Sequence, residues 1–361
     1  MKKICTIAGA RPQFIKLAVV SRILRGKCWE VIIHTGQHYD HNMSDVFFEE
    51  MDIPKPDYNL GISGGSHGQM TGMMLIKIEE TLLKERPDML LVFGDTNSTL
   101  AGALAAVKLH IPVCHVEAGN RLGTLENPEE VNRILTDHAS SLHLASTASC
   151  VEFLKREGFS SSVHLVGDPM YDAFCFYSAR SDGTELREVK DLDGNIIHIP
   201  GEYYYMTCHR QENTDADWKL DQIFQAMDSL DAPVIYPVHP RNRDRAARLR
   251  QSGGYGNIIL TQPVGYRASI ALVNGAKKIV TDSGGLQREA FFARKPCVTV
   301  FEWVGWPETM VRHCNQLAKP DKEDILAKLE HPAQFDAAYQ PFGDGHSAEK
   351  IVERICAFLK E

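Results

Sequence analysis

Two acids at the ends of neighbouring strands are a device for moving protons, and this chain places Asp95 and Glu117 in that way. Asp95 follows the apolar run 89–93 in GDTN (94–97), and Glu117 follows the run 111–115 in HVEAG (115–119). Adjacent parallel strands bring such residues to one edge of a sheet. Glu129 and Glu130 come directly after Pro128, a residue suited to a first helical turn, and Arg133 lies one turn further on. Carboxylates this close alter one another's hold on protons, which suits acid–base work. For Asp95, an N-cap of the helix starting near Thr99 is the alternative. Glu126 and Asp137 read as solvated surface.

Cations, glycines and histidines gather at other strand ends. In GARPQFIK (9–16) glycine permits a tight turn and Pro12 suits a helix start. Arg11 and Lys16 then stand where free N–H groups and the helix dipole favour an anion. A phosphate-binding turn and a plain βα turn with two exposed cations both fit. In TDSGGLQRE (281–289) a strand runs into Ser283, Gly284 and Gly285, whose hydroxyl and successive N–H groups suit a diphosphate, with Glu289 placed for ribose hydroxyls. A Ser-capped helix is the alternative, although paired glycines weaken a helix start and ask for a reason. His209, followed by Arg210, and His239, followed by Pro240 and Arg241, each end a strand, in place for proton transfer or a phosphate hydrogen bond. His38 and His41 have a metal-like spacing but no third ligand, so neither a metal nor another cofactor is expected.

These side chains need elements to hold them. Apolar runs at 3–8, 29–34, 89–93, 111–115 and 142–145 predict strands, with helical spacing at 14–24, 70–84, 99–108 and 129–136. The pattern blurs over 178–201, a polar stretch expected to be linker or irregular insertion. It resumes with strands at 203–207, 234–238, 257–261, 278–281 and 297–301, and helices at 218–230, 241–250, 267–274 and 286–292. This alternation predicts an α/β fold of two Rossmann-like, doubly wound domains, 1–170 and 171–345. A C-terminal helix within 346–361 is free to cross back to the first. Ligands of such folds lie beyond the carboxyl ends of the strands, here expected in an interdomain cleft.

The bulk properties agree. A chain of 361 residues suits two domains, and 43% hydrophobic with 24% charged residues are globular values. A net charge of −8 argues against nucleic-acid or anionic-membrane partners. No apolar run approaches the roughly 20 residues of a membrane span, and the apolar stretch at the start is too short for a signal peptide. Nine scattered cysteines without paired or zinc-like spacing read as reduced thiols of a cytoplasmic protein.

Together these junctions resemble the non-hydrolysing UDP-N-acetylglucosamine 2-epimerases. The resemblance runs through GARPQFIK (9–16), GQH (36–38), GDTNST (94–99), HVEAG (115–119), PEEVNR (128–133), HRQEN (209–213), HP (239–240), DSGGLQREA (282–290) and FGDG (342–345), nearly the whole chain. It implies a GT-B-like pair of Rossmann-like domains, a UDP-sugar substrate and a homodimer. It also implies a reaction in which C2 loses its proton and C1 expels UDP. The bound 2-acetamidoglucal is then reprotonated on the opposite face as UDP re-adds. By this resemblance Asp95, Glu117 and Glu129 are acid–base carboxylates and His209 an acid–base or phosphate-assisting group. Arg11, Lys16, His239, Ser283, Gly284 and Gly285 match diphosphate contacts, Glu289 a ribose contact, and Arg133 a residue ordering the carboxylate loop. His38 and Arg210 complete the UDP-binding set.

Departures from the family pattern carry expectations of their own. Where members usually have an arginine on the nucleotide, this chain has Trp306, which removes a fork of donors. Residues 120–127 (NRLGTLEN) differ from the usual loop, so sugar contacts are expected to differ. GARPQ and Trp303 resemble the branch acting on UDP-2,3-diacetamido-2,3-dideoxy-glucuronic acid. Some bacterial members hold an activating second UDP-N-acetylglucosamine with an Arg-Gln pair that aligns with Gly64-Gly65, so that allosteric site is expected to be lacking. The expected reaction is inversion at C2 of UDP-N-acetylglucosamine, giving UDP-N-acetylmannosamine, or of the diacetamido-uronate. A hydrolysing 2-epimerase, a GT-B glycosyltransferase and a catalytically silent UDP-sugar binder are the rival readings.

Overall fold

In both halves of the chain, short runs rich in Val, Ile and Leu pair in parallel, and parallel strands covered by helices on both faces must be apolar throughout. Met89–Phe93 shows this most clearly, with every residue fully buried. The structure, a computed structural model, describes residues 1–37 and 45–360. It forms two units.

Unit 1 comprises Met1–Cys175 and Gln340–Glu361. Its strands are β1 (Lys3–Ala8), β2 (Trp29–His34), β3 (Tyr58–Asn59), β4 (Met89–Phe93), β5 (Val113–Val116), β6 (Leu142–Ala145) and β7 (Val163–Leu165). They lie in the order β3-β2-β1-β4-β5-β6-β7, all parallel. The winding reverses between β1 and β4, so the carboxyl ends of those strands mark the switch point where such sheets take ligands. Helix Arg11–Leu24 starts there with Pro12 in its first turn, and Asn97–Lys108 starts there with Thr96 as its cap. Helix Pro128–Ala139 follows β5, with the Asn127 side chain accepting from the Glu130 amide. The last helix, Ser347–Phe358, packs on Arg11–Leu24, and the Asp172 carboxylate caps it by accepting from the Ala348 amide at 2.7 Å.

Unit 2 comprises Phe176–Tyr339. Its strands are β8 (Tyr204–Thr207), β9 (Val234–Pro237), β10 (Ile258–Thr261), β11 (Ile279–Thr281), β12 (Cys297–Val300) and β13 (Asn315–Ala318). The order is β10-β9-β8-β11-β12-β13, again all parallel, with the reversal between β8 and β11. Met206, Phe224, Tyr236 and Ile258 are fully buried at the centre of one core layer.

The expected fold class, two Rossmann-like doubly wound units of GT-B type, is the one observed. Strand runs are placed within about two residues of the sequence reading, the usual uncertainty of element ends. β3, β7 and β13 were not expected. β3 has two residues, β7 three, and β13 carries Asn315 and Gln316, so none shows an apolar run. The irregular stretch 178–201 lies within unit 2, holding the short 3-10 helix Thr184–Glu188 and two isolated bridges, Lys190 to Ile196 and Asp191 to Thr261.

Candidate active site

In unit 1 the carboxyl ends of β4 and β5 bring Asp95 and Glu117 to one edge, as adjacent parallel strands must. Glu117 sits in the left-handed region, φ +70°, which costs a non-glycine residue about 1–2 kcal/mol. Such strain persists where the surroundings over-determine it, and functional sites are where it collects. Here the Glu117 and Ala118 amides both donate to the Leu144 carbonyl, at 3.0 and 3.2 Å. The Glu117 carboxylate is buried and lies 2.5 Å from the Lys16 ammonium, itself buried. Lys16 is thus engaged with a carboxylate at this edge rather than exposed. Gly94, φ +62°, passes close by: a Cβ there would lie 3.2 Å from Lys16 Nζ.

Asp95 is partly exposed and pairs with Arg133 at 2.5 Å, while the other arm of Arg133 reaches Glu130 at 2.6 Å. The two glutamates after Pro128 therefore divide their tasks. Glu130 is buried and accepts from the Leu122 and Gly123 amides, at 2.8 and 3.0 Å, which ties down the loop 120–127. Glu129 is half-buried in the first turn of the helix and has no hydrogen bond or ion pair among the described residues. Arg11 stacks its guanidinium over the Phe47 ring at 4.7 Å.

Unit 2 gathers its candidates at the ends of β8 and β11. Asp282 is fully buried, and its carboxylate accepts from the His209 amide at 2.9 Å and the Arg210 amide at 2.8 Å. It also lies 3.1 Å from His209 Nδ1. Burial pushes this carboxyl up, but the His209 charge and the converging donors outweigh burial and hold it well below the usual carboxylate range. The partly exposed His209 ring is thereby oriented from behind. His239 stacks parallel to it with centroids 6.2 Å apart, and the Arg210 side chain donates to the Asp282 carbonyl at 2.7 Å. Ser283 caps helix Gly284–Phe292 and accepts from the Leu286 amide, so Gly284 and Gly285 open that helix. Glu289 is buried one turn further on. Trp306 is buried against this helix start, its Nε1 within 3.6 Å of where a Gly284 Cβ would stand. The Arg288 guanidinium lies over the Trp306 ring at 4.1 Å, so a guanidinium remains beside the position that lacks one.

His38 lies outside the described residues. Among those described, no three His, Cys, Asp or Glu side chains converge as metal ligands, and no helix is long and apolar enough to cross a membrane. Glu126 is exposed, but Asp137, read from sequence as solvated, is fully buried and bonded on both oxygens. Helical spacing gave no warning, because the partners that bury it, His115 and Arg121, lie outside its own helix. Three further residues escaped the sequence reading. Gln13 accepts from the Gly9 and Ala10 amides and donates to the Phe93 carbonyl, holding the first turn to the end of β4. A glutamate there would lack the donor. Asn132 donates to the Asp95 carbonyl at 2.9 Å, and Asp282 orients His209. Their one shared signal was position within the quoted motifs.

A sequence profile of the family described as "UDP-N-acetylglucosamine 2-epimerase" matches residues 24–356. The chain is 48% identical to the "UDP-N-acetylglucosamine 2-epimerase homolog" of Methanococcus maripaludis, over 97% of this chain and 98% of that one. It is 44% identical to the "UDP-2,3-diacetamido-2,3-dideoxy-D-glucuronate 2-epimerase" of Pseudomonas aeruginosa, over 98% and 99% respectively. The crystal structure of the Methanocaldococcus jannaschii UDP-GlcNAc 2-epimerase, solved with UDP-GlcNAc and UDP, superposes with a TM-score of 0.89 at 38% identity, covering 99% of each chain. Sequence and fold agree along the full length, and the chain belongs to the UDP-N-acetylglucosamine 2-epimerase family, an isomerase.

Proposed function

We propose that this isomerase inverts C2 of UDP-N-acetylglucosamine or a close UDP-2-acetamido sugar, by elimination and re-addition of UDP. The supporting observation is the carboxylate edge of unit 1: Asp95 and Glu117 at the ends of β4 and β5, each paired with a cation, with Glu129 in the first turn of the helix that carries Arg133. One carboxylate takes the C2 proton while the C1–O bond breaks and its electrons leave with UDP. The C2–H bond electrons become the C1–C2 double bond of a 2-acetamidoglucal. A second carboxyl group, holding a proton, then delivers it to C2 from the opposite face: the double-bond electrons form the new C2–H bond while a UDP oxygen re-adds at C1. In this reading the diphosphate takes its donors from Arg11, Arg210, His239, Ser283 and the Gly284 and Gly285 amides. Glu289 takes the ribose, and His209 assists the departing phosphate as charge develops. Lys16 pairs with Glu117, Arg133 orders the carboxylate loop through Asp95 and Glu130, and Lys16 and His38 belong to the UDP set.

The test is incubation in deuterated water with each candidate UDP-sugar, following the C2 proton by NMR. Deuterium at C2 with UDP retained is the expected result. Free UDP with free sugar would mean the hydrolytic reaction, and no exchange with any UDP-sugar would mean a transferase or a silent binder.

A second reading, UDP-2,3-diacetamido-2,3-dideoxy-glucuronate as substrate, has a specific support. The relative of that name is 44% identical, whereas two methanogen relatives named UDP-N-acetylglucosamine 2-epimerase are 40% and 39% identical. The two substrates compared by kcat/KM decide between them. Gly64 and Gly65, both at positive φ, offer no side chain to an activating nucleotide sugar. Activity with the diacetamido-uronate is therefore expected without added UDP-N-acetylglucosamine, and an absolute requirement for it would contradict this.

The homodimer finds support in helix His67–Glu85, where Met73, Ile76 and Leu83 lie about half exposed on one face. Soluble surfaces rarely leave such a stripe uncovered unless it meets a partner. Ile76→Arg is expected to convert the dimer to monomer by sedimentation, with the fold retained by circular dichroism.

A further inference from the structure

Asp137 is the most deeply buried carboxylate near the proposed acid–base edge, and no family motif assigned it a task. Its Oδ1 lies 2.6 Å from His115 Nδ1, and His115 Nε2 lies 2.7 Å from the Gly94 carbonyl. Its Oδ2 accepts from the Gly119 amide at 3.1 Å and from Arg121 at 2.8 Å. Arg121 continues outward, donating to the Asn120 carbonyl and, through Nε and Nη2, to both Glu157 oxygens at 2.7 and 2.6 Å. His143 completes the surroundings, its Nε2 2.8 Å from the Asp137 carbonyl. His115, Asp137 and Arg121 are all buried.

The hydrogen positions follow from the acceptors. A carbonyl only accepts, so His115 Nε2 carries a hydrogen and donates to Gly94. Burial pushes the Asp137 carboxyl up, but His115 and Arg121 outweigh burial and hold it below the ordinary carboxylate value. One proton between Asp137 Oδ1 and His115 Nδ1 closes the contact between the two side chains. The pair is sealed from water.

This pair joins two turns that matter. Gly94 immediately precedes Asp95, and Gly119 comes two residues after Glu117. Both glycines are in left-handed conformations, φ +62° and +84°, flanking a strained Glu117. A buried ion pair is poor value as pure stabilisation, since apolar residues of similar size serve as well or better. Fixing geometry is what it does well. We propose that His115 and Asp137 are positioning residues for the reaction: as a buried hydrogen-bonded pair they clamp the Gly94 carbonyl and the Gly119 amide, locking Asp95 and Glu117 in one relative placement. This rests on the reading of Asp95 and Glu117 as the acid–base groups. Misplacing such groups by about 1 Å can cost on the order of 10²-fold in rate.

The test uses the full chain with Asp137→Ala and Asp137→Asn. Asp137→Ala removes the clamp, and kcat is expected to fall about 10²-fold with KM and UDP affinity nearly unchanged. In Asp137→Asn the amide can donate to a neutral Nδ1 while its oxygen faces Gly119 and Arg121, so the geometry survives without the charges. That variant is expected to recover most of the lost kcat. Nitrogen NMR of the His115 ring should show a hydrogen on Nε2 in the parent and in Asp137→Asn, as the Gly94 carbonyl demands. A bare Nε2 in the parent overturns the proposal, and this readout stands even if Asp137→Ala does not fold. So does kcat in folded Asp137→Ala within about threefold of the parent, or a loss shared equally by kcat and UDP affinity, the mark of a merely structural role. Glu117→Gln separates the two levels: full activity in that variant refutes the acid–base reading itself, whatever Asp137→Ala does.

Discussion

Glu117→Gln is expected to lower kcat for C2 inversion about 10³-fold, the span that loss of a general acid or base removes. UDP affinity is expected to change little. The substitution is nearly isosteric, so its effect reports charge and proton transfer rather than packing. The Lys16 ammonium, 2.5 Å from the carboxylate, can still donate to the amide oxygen, so the buried cation keeps an acceptor. Deuterium entry at C2 should fall in parallel with epimerisation, because both pass through the same proton removal. Asp95→Asn is expected in the same range, since Arg133 keeps its second partner Glu130 and the helix start stays anchored. Kinetics with UDP binding by calorimetry checks both. Either variant retaining more than about a tenth of parental kcat would remove that carboxylate from the mechanism.

The second large effect belongs to Asp282. Asp282→Ala leaves the His209 and Arg210 amides and the His209 ring without their shared buried acceptor. Breaking a buried charged cluster costs about 3–5 kcal/mol, so a marked fall in denaturant midpoint is expected. The folded protein is expected to lose activity as well, about 10²-fold, because His209 is no longer oriented. Asp282 also makes stability depend on pH. Its folded pKa lies below its unfolded value, so its contribution is fully present above the ordinary carboxylate pKa of about 3.9 and is lost as pH falls toward the folded value. Parental stability should therefore decline on acidification below about pH 4, more steeply than that of Asp282→Asn. Denaturant melts of both proteins between neutral and acid pH measure this. Equal slopes would mean that the carboxylate is not held ionised by its donors.

The buried polar residues show where reading the sequence stops. Apolar runs such as Met89–Phe93 announce themselves because a strand covered on both faces must be apolar. The junction glycines, Pro12 and Pro128 announce themselves because they suit few backbone shapes. From these the α/β class, the doubly wound units and the strand-end placement of Asp95, Glu117, His209 and Ser283 were legible in the residue order alone. β3, β7 and β13 were not, since two to four residues without an apolar run give no periodicity to read. Nor were the tasks of charged neighbours. Glu129 and Glu130 are adjacent in sequence, yet a helix turns them about 100° apart, so one is buried under a loop and the other left unengaged. Asp137 looks like a solvated acid near a helix end until β5 and the loop after it deliver His115, Gly119 and Arg121 to it. Local sequence thus determined which residues stand at the strand ends, because that depends on hydrophobic period and turn chemistry. Which of those residues hold a charge, share a proton or brace a neighbour was decided by tertiary structure, because burial and partnership come from segments distant in the chain.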